Sequence, residues 1–395
     1  MRICFWATSF QADNQALAVH LSRQPGVEVL VALDEPERYQ EEPVARLLPL
    51  GARLLDRQAA ATLGQIAAFA PDCVIVDNHL PKRRLAKRLY VLWHGYGWRV
   101  DDLSTMKREL RKLVGDVQAP NADFRWQAFG ELDRAYRVQH SGFAPDNVVT
   151  LGSAYSDLLL PSSPTRLALD PCSVQSSYEL DLSRPTILLG MTWHHGGALG
   201  HWGDDGVLHE ELAQHAARLG ANLLIRMHDR HRYATADAQR MEALARRHSH
   251  VQLKFKSSHP DSLVDLLVSS VLVSNYSSLL NAFYYTGKPS IHIDPIAHDG
   301  PNFRRAWRWG MLRTKRIQDP LASWKLAPDD IGGLKVQSFA ELESALARAL
   351  AEPACCIESS QAFTSRHIAL ADGRALADGR SCERIATYLR RWLAE

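Results

Sequence analysis

The hydrophobic residues of this chain form short continuous runs, which alternate with longer segments of helical periodicity. In the first part of the chain, strand-length runs lie at residues 3–7, 27–33, 73–77 and 89–93, and helical segments lie at 14–23 and 59–69. Continuous apolar strands joined by helices are typical of a parallel sheet that is covered on both faces. The pattern therefore predicts an α/β domain.

The same alternation starts again after a break. Proline and serine interrupt the pattern between residues 160 and 184, and we interpret this stretch as a connection between domains. Beyond it, apolar runs lie at residues 186–190, 222–226, 251–255, 271–273 and 290–293, with helical segments between them. We predict an N-terminal domain at 1–165, a linker at 166–184, a C-terminal domain at 185–375 and a terminal helix at 376–395.

Two Rossmann-like parallel-sheet domains in series are typical of the GT-B fold, in which the domains face each other across a cleft. The amphipathic segment at residues 383–393 is then expected to form a helix that crosses back to the first domain. Ligands of parallel sheets bind at the carboxyl ends of the strands. Residues that carry chemistry are therefore expected in the loops that follow strands.

Composition narrows the class of protein. The 395 residues are 46% hydrophobic and 23% charged, and the formal net charge is +2, so no overall field favours nucleic acid. The six cysteines form no C-x-x-C pair, and no carboxylate cluster suggests a divalent cation. Without a signal peptide or an apolar stretch of about 18 residues, the expected location is cytoplasmic. We expect neither a metal nor a cofactor.

The first candidate loop follows the run at 89–93. His94 and Gly95 lie in the sequence Trp-His-Gly-Tyr-Gly. Glycine allows the backbone to approach a ligand closely, and histidine can take a proton from a hydroxyl near neutral pH. The alternative is a core histidine in a tight turn, which a single His-Gly pair favours.

Two further loops open the second domain. Thr192 and His194 lie in a glycine-rich loop that suits an anion, although such a loop can equally be plain surface. Arg226 and His228 end the next strand, where a guanidinium and an imidazole can bind phosphate. The alternative for Arg226 is a surface ion pair with Asp229.

The fourth loop carries the most specific pattern. After the run at 271–273 the chain reads Ser274-Asn275-Tyr276-Ser277-Ser278, and a predicted helix follows. Ser277 or Ser278 can cap this helix, and the N–H groups of its first turn can bind an anion. A serine cap without a ligand is the alternative.

Taken together, these segments resemble the CDP-glycerol glycerophosphotransferase family, whose members make teichoic-acid-type polyol phosphates. The ordered set spans most of the chain and includes a W-H-G loop, a T-[WY] loop, an R-x-H loop, an S-D-Y-S-S…K-P segment and a closing helix. In this chain the W-H-G loop corresponds to 93–95, the T-[WY] loop to 192–193 and the R-x-H loop to 226–228. The S-D-Y-S-S…K-P segment corresponds to 274–278 with Lys288 and Pro289, and the closing helix to 379–385. Gly152 to Asp157 is similar to a further family segment, G-x-P-R-x-D.

The chain also departs from the family pattern. His194 replaces an arginine, Asp229 a proline and Asn275 an aspartate, and Ala282 stands where the family has an acid. Such acids often hold ribose or polyol hydroxyls, so these departures concern the identity of the donor. The phosphate-holding elements are retained.

The resemblance implies transfer of a glycerol-phosphate-like group from a CDP-activated donor to an acceptor hydroxyl, with release of CMP. His94 would be the general base, and His228 would act with Arg226, Ser277 and Ser278 on the pyrophosphate. The implied donor and phosphate pocket also contains Gly95, Thr192, His194, Ser274 and Tyr276.

Two alternatives remain open. A GT-B glycosyltransferase would use a nucleotide sugar, and a non-catalytic GT-B protein would bind nucleotide only. The acceptor could be a polyol, a glycan or a lipid-linked molecule. Basic runs at 82–88, 107–112 and 304–308 are either solvated faces or a surface for anionic lipid on the inner face of the membrane.

Overall fold

The computed structural model describes the whole chain except residues 9, 78, 94, 97–103, 171–172, 174–176, 192–198, 200–201, 231–232, 276, 295–302, 309–310 and 317–328. For residues 303–308 and 311–316 only the backbone is considered. The predicted residues His94, Thr192, His194 and Tyr276 therefore lie outside the described residues.

The first domain contains a parallel sheet. Its described strands are β1 (Arg2–Trp6), β2 (Glu28–Leu33), β3 (Arg53–Asp56), β4 (Cys73–Val76), β5 (Arg88–Val91), β6 (Phe124–Ala128) and β7 (Val148–Thr150). They lie in the order β3-β2-β1-β4-β5-β6-β7, and every pairing is parallel. The helices are α1 (Ala12–Ser22), α2 (Pro36–Glu41), α3 (Pro43–Leu47), α4 (Thr62–Phe69), α5 (Ser104–Val114), α6 (Glu131–Gln139), α7 (Ser156–Leu159) and α8 (Pro164–Leu167), with a 3₁₀ turn at Pro145–Asn147.

The second domain repeats this plan. Its described strands are β8 (Thr186–Leu189), β9 (Asn222–Met227), β10 (Val251–Phe255), β11 (Val271–Ser274), β12 (Ser290–Ile293), the hairpin pair β13 (Phe303–Arg308) and β14 (Met311–Arg316), and β15 (Leu334–Val336). The main sheet is parallel, in the order β10-β9-β8-β11-β12-β15. The helices are α9 (Asp205–Arg218), α10 (Thr235–Arg247), α11 (Leu263–Val268), α12 (Ser278–Tyr284), α13 (Phe339–Ala351), α14 (Ile357–His367) and α15 (Ser381–Ala394).

The central strands carry the cores of the two sheets. All four residues of β4, β8 and β11 are buried, which explains why these strands read as continuous apolar runs. The two parallel sheets confirm the predicted α/β GT-B class. The domain bounds remain predictions, although β7 ends at Thr150 and β8 starts at Thr186.

The C-terminal helix crosses back to the first domain, as predicted. Helix α15 packs against α1 and α7, and the carboxylate of Asp157 accepts hydrogen bonds from the backbone N–H groups of Ser381 (3.0 Å) and Cys382 (2.8 Å). Gly152 has φ +86°, and a Cβ there would lie 2.7 Å from Ser381 Oγ. The Gly152–Asp157 segment therefore holds the start of this helix.

Some cations of the basic runs pair within the chain. Arg84 contacts Asp123 at 2.8 Å, and Lys112 contacts Glu109 at 2.9 Å. These pairs fit solvated faces, and contact with an anionic membrane stays a prediction. Within the described part of the chain, no helix combines the length and the apolar character that crossing a bilayer requires.

Candidate active site

The strand orders place a crevice in each sheet. In the first sheet the chain runs outward from β1 to β3 and then returns to β4, so the loops after β1 and β4 leave in opposite directions. In the second sheet the same reversal lies between β8 and β11. Ligands of open parallel sheets bind at such reversals. The predicted segment 274–278 follows β11 and therefore lies at one of them.

A cavity of about 230 Å³ lies between the two domains. The first domain lines it with residues that follow β1, β5, β6 and β7. The second domain lines it with residues at the end of β9 and with residues that follow β9, β10 and β11. Polar lining residues are Gln11, Asp13, Ser153, Tyr155, Arg226, His228, Lys256, Ser262, Ser277, Ser278, Asn281 and Tyr285. The cavity is thus polar and is shared between the domains.

The two domains touch directly at this cavity. A Cβ on Gly95 would lie 2.8 Å from Ser278 Cβ, and Gly95 has φ +146°. Asn281 Nδ2 donates a hydrogen bond of 2.7 Å to the carbonyl oxygen of Tyr96. Only glycine satisfies both the backbone conformation and the close approach. The loop after β5 is therefore fitted against the start of α12.

The backbone before His94 is strained. Trp93 has φ +62°, a conformation that bulky residues rarely adopt. Its ring packs on Trp126 at 5.0 Å between centroids, and the Arg137 guanidinium lies 5.1 Å from the ring centroid. These contacts offset a strain of about 1–3 kcal/mol, and such strain is concentrated at functional sites.

His228 is oriented by the residue that departs from the family pattern. The backbone N–H of Asp229 donates to His228 Nδ1 at 2.8 Å, and a proline at this position would have no N–H. The Asp229 carboxylate also lies 2.8 Å from Nδ1. The first contact requires Nδ1 without a proton, and the second requires a proton on Nδ1. Asp229 can therefore hold the ring with or without a proton on Nδ1.

Arg226 lines the cavity but is held by a buried carboxylate. Its guanidinium donates to Asp265 at 2.5 Å and to the His259 carbonyl at 2.8 Å. Lys254 and Tyr178 also donate to Asp265, at 2.9 Å and 2.5 Å. Burial favours a raised pKa for Asp265, but the two cations outweigh burial and lower that pKa. The expected alternative, a surface pair of Arg226 with Asp229, is not what the structure shows.

The serines after β11 have different positions. Ser277 and Ser278 line the cavity, and Ser277 Oγ caps α12 by accepting from the Leu279 N–H at 3.2 Å. Ser274 is fully buried, and its hydroxyl donates to the carbonyl of Gly190. Ser274 therefore links β11 to the end of β8. Helix α12 has only seven residues, so any phosphate would be held mainly by direct hydrogen bonds.

The structure brings five of the predicted residues to one cavity: Gly95, Arg226, His228, Ser277 and Ser278. Sequence reasoning missed Asp13 and Lys256, which line the same cavity. Lys256 directly follows β10, so the rule that ligands bind at the carboxyl ends of strands could have found it. Asp13 follows β1 by the same rule.

Comparisons with known proteins give a structural likeness only. No protein-family model matches the sequence, and no curated protein is significantly similar to it. The wall teichoic acid polymerase TagF, in a variant soaked with CDPG, superposes with a TM-score of 0.69 at 13% identity, over 100% of this chain and 89% of that chain. TagF is a CDP-glycerol glycerophosphotransferase, so the structure shows the same resemblance as the sequence motifs.

Two other similar structures contain a bound uridine nucleotide. A UDP-GlcNAc 2-epimerase from Neisseria meningitidis, bound to UDP-GlcNAc, has a TM-score of 0.55 at 14% identity, over 99% of this chain and 100% of that chain. S. aureus MnaA with UDP has a TM-score of 0.53 at 11% identity, over 100% and 96%. At these identities the likeness establishes the two-domain GT-B fold.

The contact between the domains can be tested with Gly95→Ala. The added methyl group meets Ser278 and the backbone disfavours alanine, so we expect a loss of about 1–3 kcal/mol and a lower midpoint of thermal unfolding. Gly64→Ala is the control, because Gly64 lies exposed in α4 with open space around its Cα. This control should be neutral or more stable by up to about 1 kcal/mol. Equal midpoints for the two variants would contradict the packing described.

Arg226→Met tests the buried ion pair. It leaves Asp265 in the interior with Lys254 as its remaining described cation, and we expect a loss of about 3–5 kcal/mol in urea unfolding. Arg230→Met is the control, since Arg230 is about half exposed and pairs with Glu242 on the surface. That change should cost less than about 1 kcal/mol. Similar losses of unfolding free energy in the two variants would contradict a buried ion pair of Arg226 with Asp265.

Proposed function

We propose that this protein is a transferase that moves a glycerol-phosphate-like group from a CDP-activated donor to an acceptor hydroxyl and releases CMP. One observation carries the proposal. The polar cavity places His228, Lys256, Ser277 and Ser278 of the second domain opposite the loop of Gly95 from the first domain. Such an arrangement can hold a diphosphate on one side and an acceptor on the other.

In this reaction the acceptor oxygen forms a bond to the phosphorus that carries the polyol. The bond from that phosphorus to the bridging oxygen breaks, and CMP leaves with the electron pair. The serine hydroxyls, Lys256 and His228 would stabilise the negative charge that develops on the leaving phosphate. These groups are in place before the reaction, so they need little reorganisation.

The proton of the acceptor hydroxyl must go to a base. The sequence predicts that His94 fills this role from the first domain, and its neighbour Gly95 lies at the interdomain contact. Thr192, His194 and Tyr276 stay predictions for the donor pocket.

A glycosyltransferase that uses a nucleotide sugar is the second candidate. It is favoured by Asn281 and Ala282 at the cavity, where the family pattern has an acid, and by the similar structures that bind UDP-GlcNAc or UDP. The acceptor would be a polyol, a glycan or a lipid-linked molecule in either case.

The nucleotide that is released separates the candidates. The protein is incubated with a panel of CDP-alcohols and nucleotide sugars, and mass spectrometry identifies the product. The proposal predicts CMP from a CDP-alcohol. Release of UDP or GDP would support the glycosyltransferase, and no product with nucleotide bound would support a non-catalytic protein.

The two histidines are expected to differ. If His94 is the general base, as the sequence predicts, His94→Ala should reduce turnover by about 10²–10⁴-fold and should leave nucleotide affinity nearly unchanged. His228→Ala should weaken both turnover and nucleotide affinity, measured by calorimetry with CDP. Equal loss of nucleotide affinity in both variants would contradict this division of roles.

A further inference from the structure

A carboxylate that no motif indicated lies at the reversal point of the first sheet. Asp13 follows β1 in the first turn of α1, and it lines the interdomain cavity with only 6% of its surface exposed. The residue before it, Ala12, has φ +53°, so the helix begins from a strained backbone. Placing this carboxylate at the cleft therefore costs conformational energy.

Asp13 is held in position by hydrogen bonds. Its Oδ1 accepts hydrogen bonds from Ser153 Oγ at 2.8 Å and from the Tyr155 N–H at 3.1 Å. Within the described part of the chain, no cation forms an ion pair with it. A buried carboxylate without a cation is costly, and Asp265, by contrast, has both Arg226 and Lys254.

Arg226, His228 and Lys256 line the cavity across from Asp13, and the described titratable groups packed closest around its carboxylate are weak acids. They come from β5, α7, the end of α12 and α15, and they are Tyr90, Tyr155, Asp157, Tyr285 and Cys382. Burial raises the pKa of Asp13 to about 6, and the two hydrogen bonds only partly oppose this effect. A carboxylate with such a pKa is ionised at neutral pH and is a stronger base than an ordinary aspartate.

Among the described residues that line the cavity from the second domain, none is a carboxylate. Ala282 and Tyr285 line it from the second domain, and Ala282 stands where the family pattern has an acid. Asp13 from the first domain therefore supplies a negative charge at this part of the cleft.

We propose that the Asp13 carboxylate binds the attacking hydroxyl of the acceptor and takes its proton, the role that the sequence alone assigned to His94. This inference rests on the proposed transferase function. The proton passes from the hydroxyl to the carboxylate as the oxygen–phosphorus bond forms, and the leaving CMP takes the electron pair of the broken bond.

Asp13→Asn is the direct test. An asparagine oxygen can still accept from Ser153 and Tyr155, so the fold should be kept, while the base is lost. With CDP-glycerol as donor and a glycerol phosphate trimer as acceptor, we expect turnover to fall about 10²–10⁴-fold, with CDP affinity within about twofold of wild type. Asp157→Asn is the matched control, because Asp157 is also buried but binds the start of α15.

The pH profile distinguishes a base from a residue that only supports the loop. Wild-type kcat/KM should fall as the pH drops through about 6, because protonation of Asp13 removes the base. Ser153→Ala removes a hydrogen bond that lowers the Asp13 pKa. The acid limb of the kcat/KM profile, where activity falls with falling pH, should therefore move to higher pH. In Asp157→Asn the acid limb should not move to higher pH, because the lost charge of Asp157 raises the pKa of Asp13 in the wild type.

The outcomes separate the two proposals. An active wild type with unchanged turnover and an unchanged acid limb in Asp13→Asn and Ser153→Ala would overturn the role of Asp13 alone and would leave His94 as the predicted base. A wild type that is inactive with every donor would overturn the transferase function and this inference with it. If Asp13→Asn fails to fold, the pH profile of Ser153→Ala tests the role of Asp13, because that variant keeps the carboxylate. An acid limb that does not move to higher pH would then overturn this role.

Discussion

The candidate active site depends on the close contact between the loop after β5 and the start of α12. Gly95 approaches Ser278 so closely that a methyl group would not fit, and Asn281 holds the carbonyl of Tyr96 at 2.7 Å. This contact brings the reversal points of two separate sheets to one cavity. Without it, the groups that can hold a diphosphate and those that can bind an acceptor would belong to different surfaces.

Charge is distributed unevenly around this contact. On the second domain, Arg226 is neutralised by Asp265 beneath the cavity, whereas His228 and Lys256 lie at the cavity wall. On the first domain, Asp13 has no described ion-pair partner and its pKa is raised by burial. A cationic wall that faces a carboxylate suits a reaction in which an anionic donor meets a hydroxyl that must lose its proton.

Sequence patterns predicted the fold well where strands are buried on both faces, as in β4, β8 and β11. They did not predict β6, because Arg125 and Gln127 interrupt its apolar residues. Gln127 is nevertheless fully buried, since it hydrogen-bonds to Tyr90 and to the Gly152 carbonyl. The same reason explains the missed Asp13: its importance comes from burial and from contacts with residues about 140 positions away, which no local pattern contains.

A crystal structure of the protein with CDP would test the central claim most directly. We expect the diphosphate to lie in the interdomain cavity, within hydrogen-bonding distance of the Ser277 or Ser278 hydroxyl and of the His228 ring. Nucleotide bound at another place, or a pyrophosphate that contacts only one domain far from residues 277–278, would contradict it.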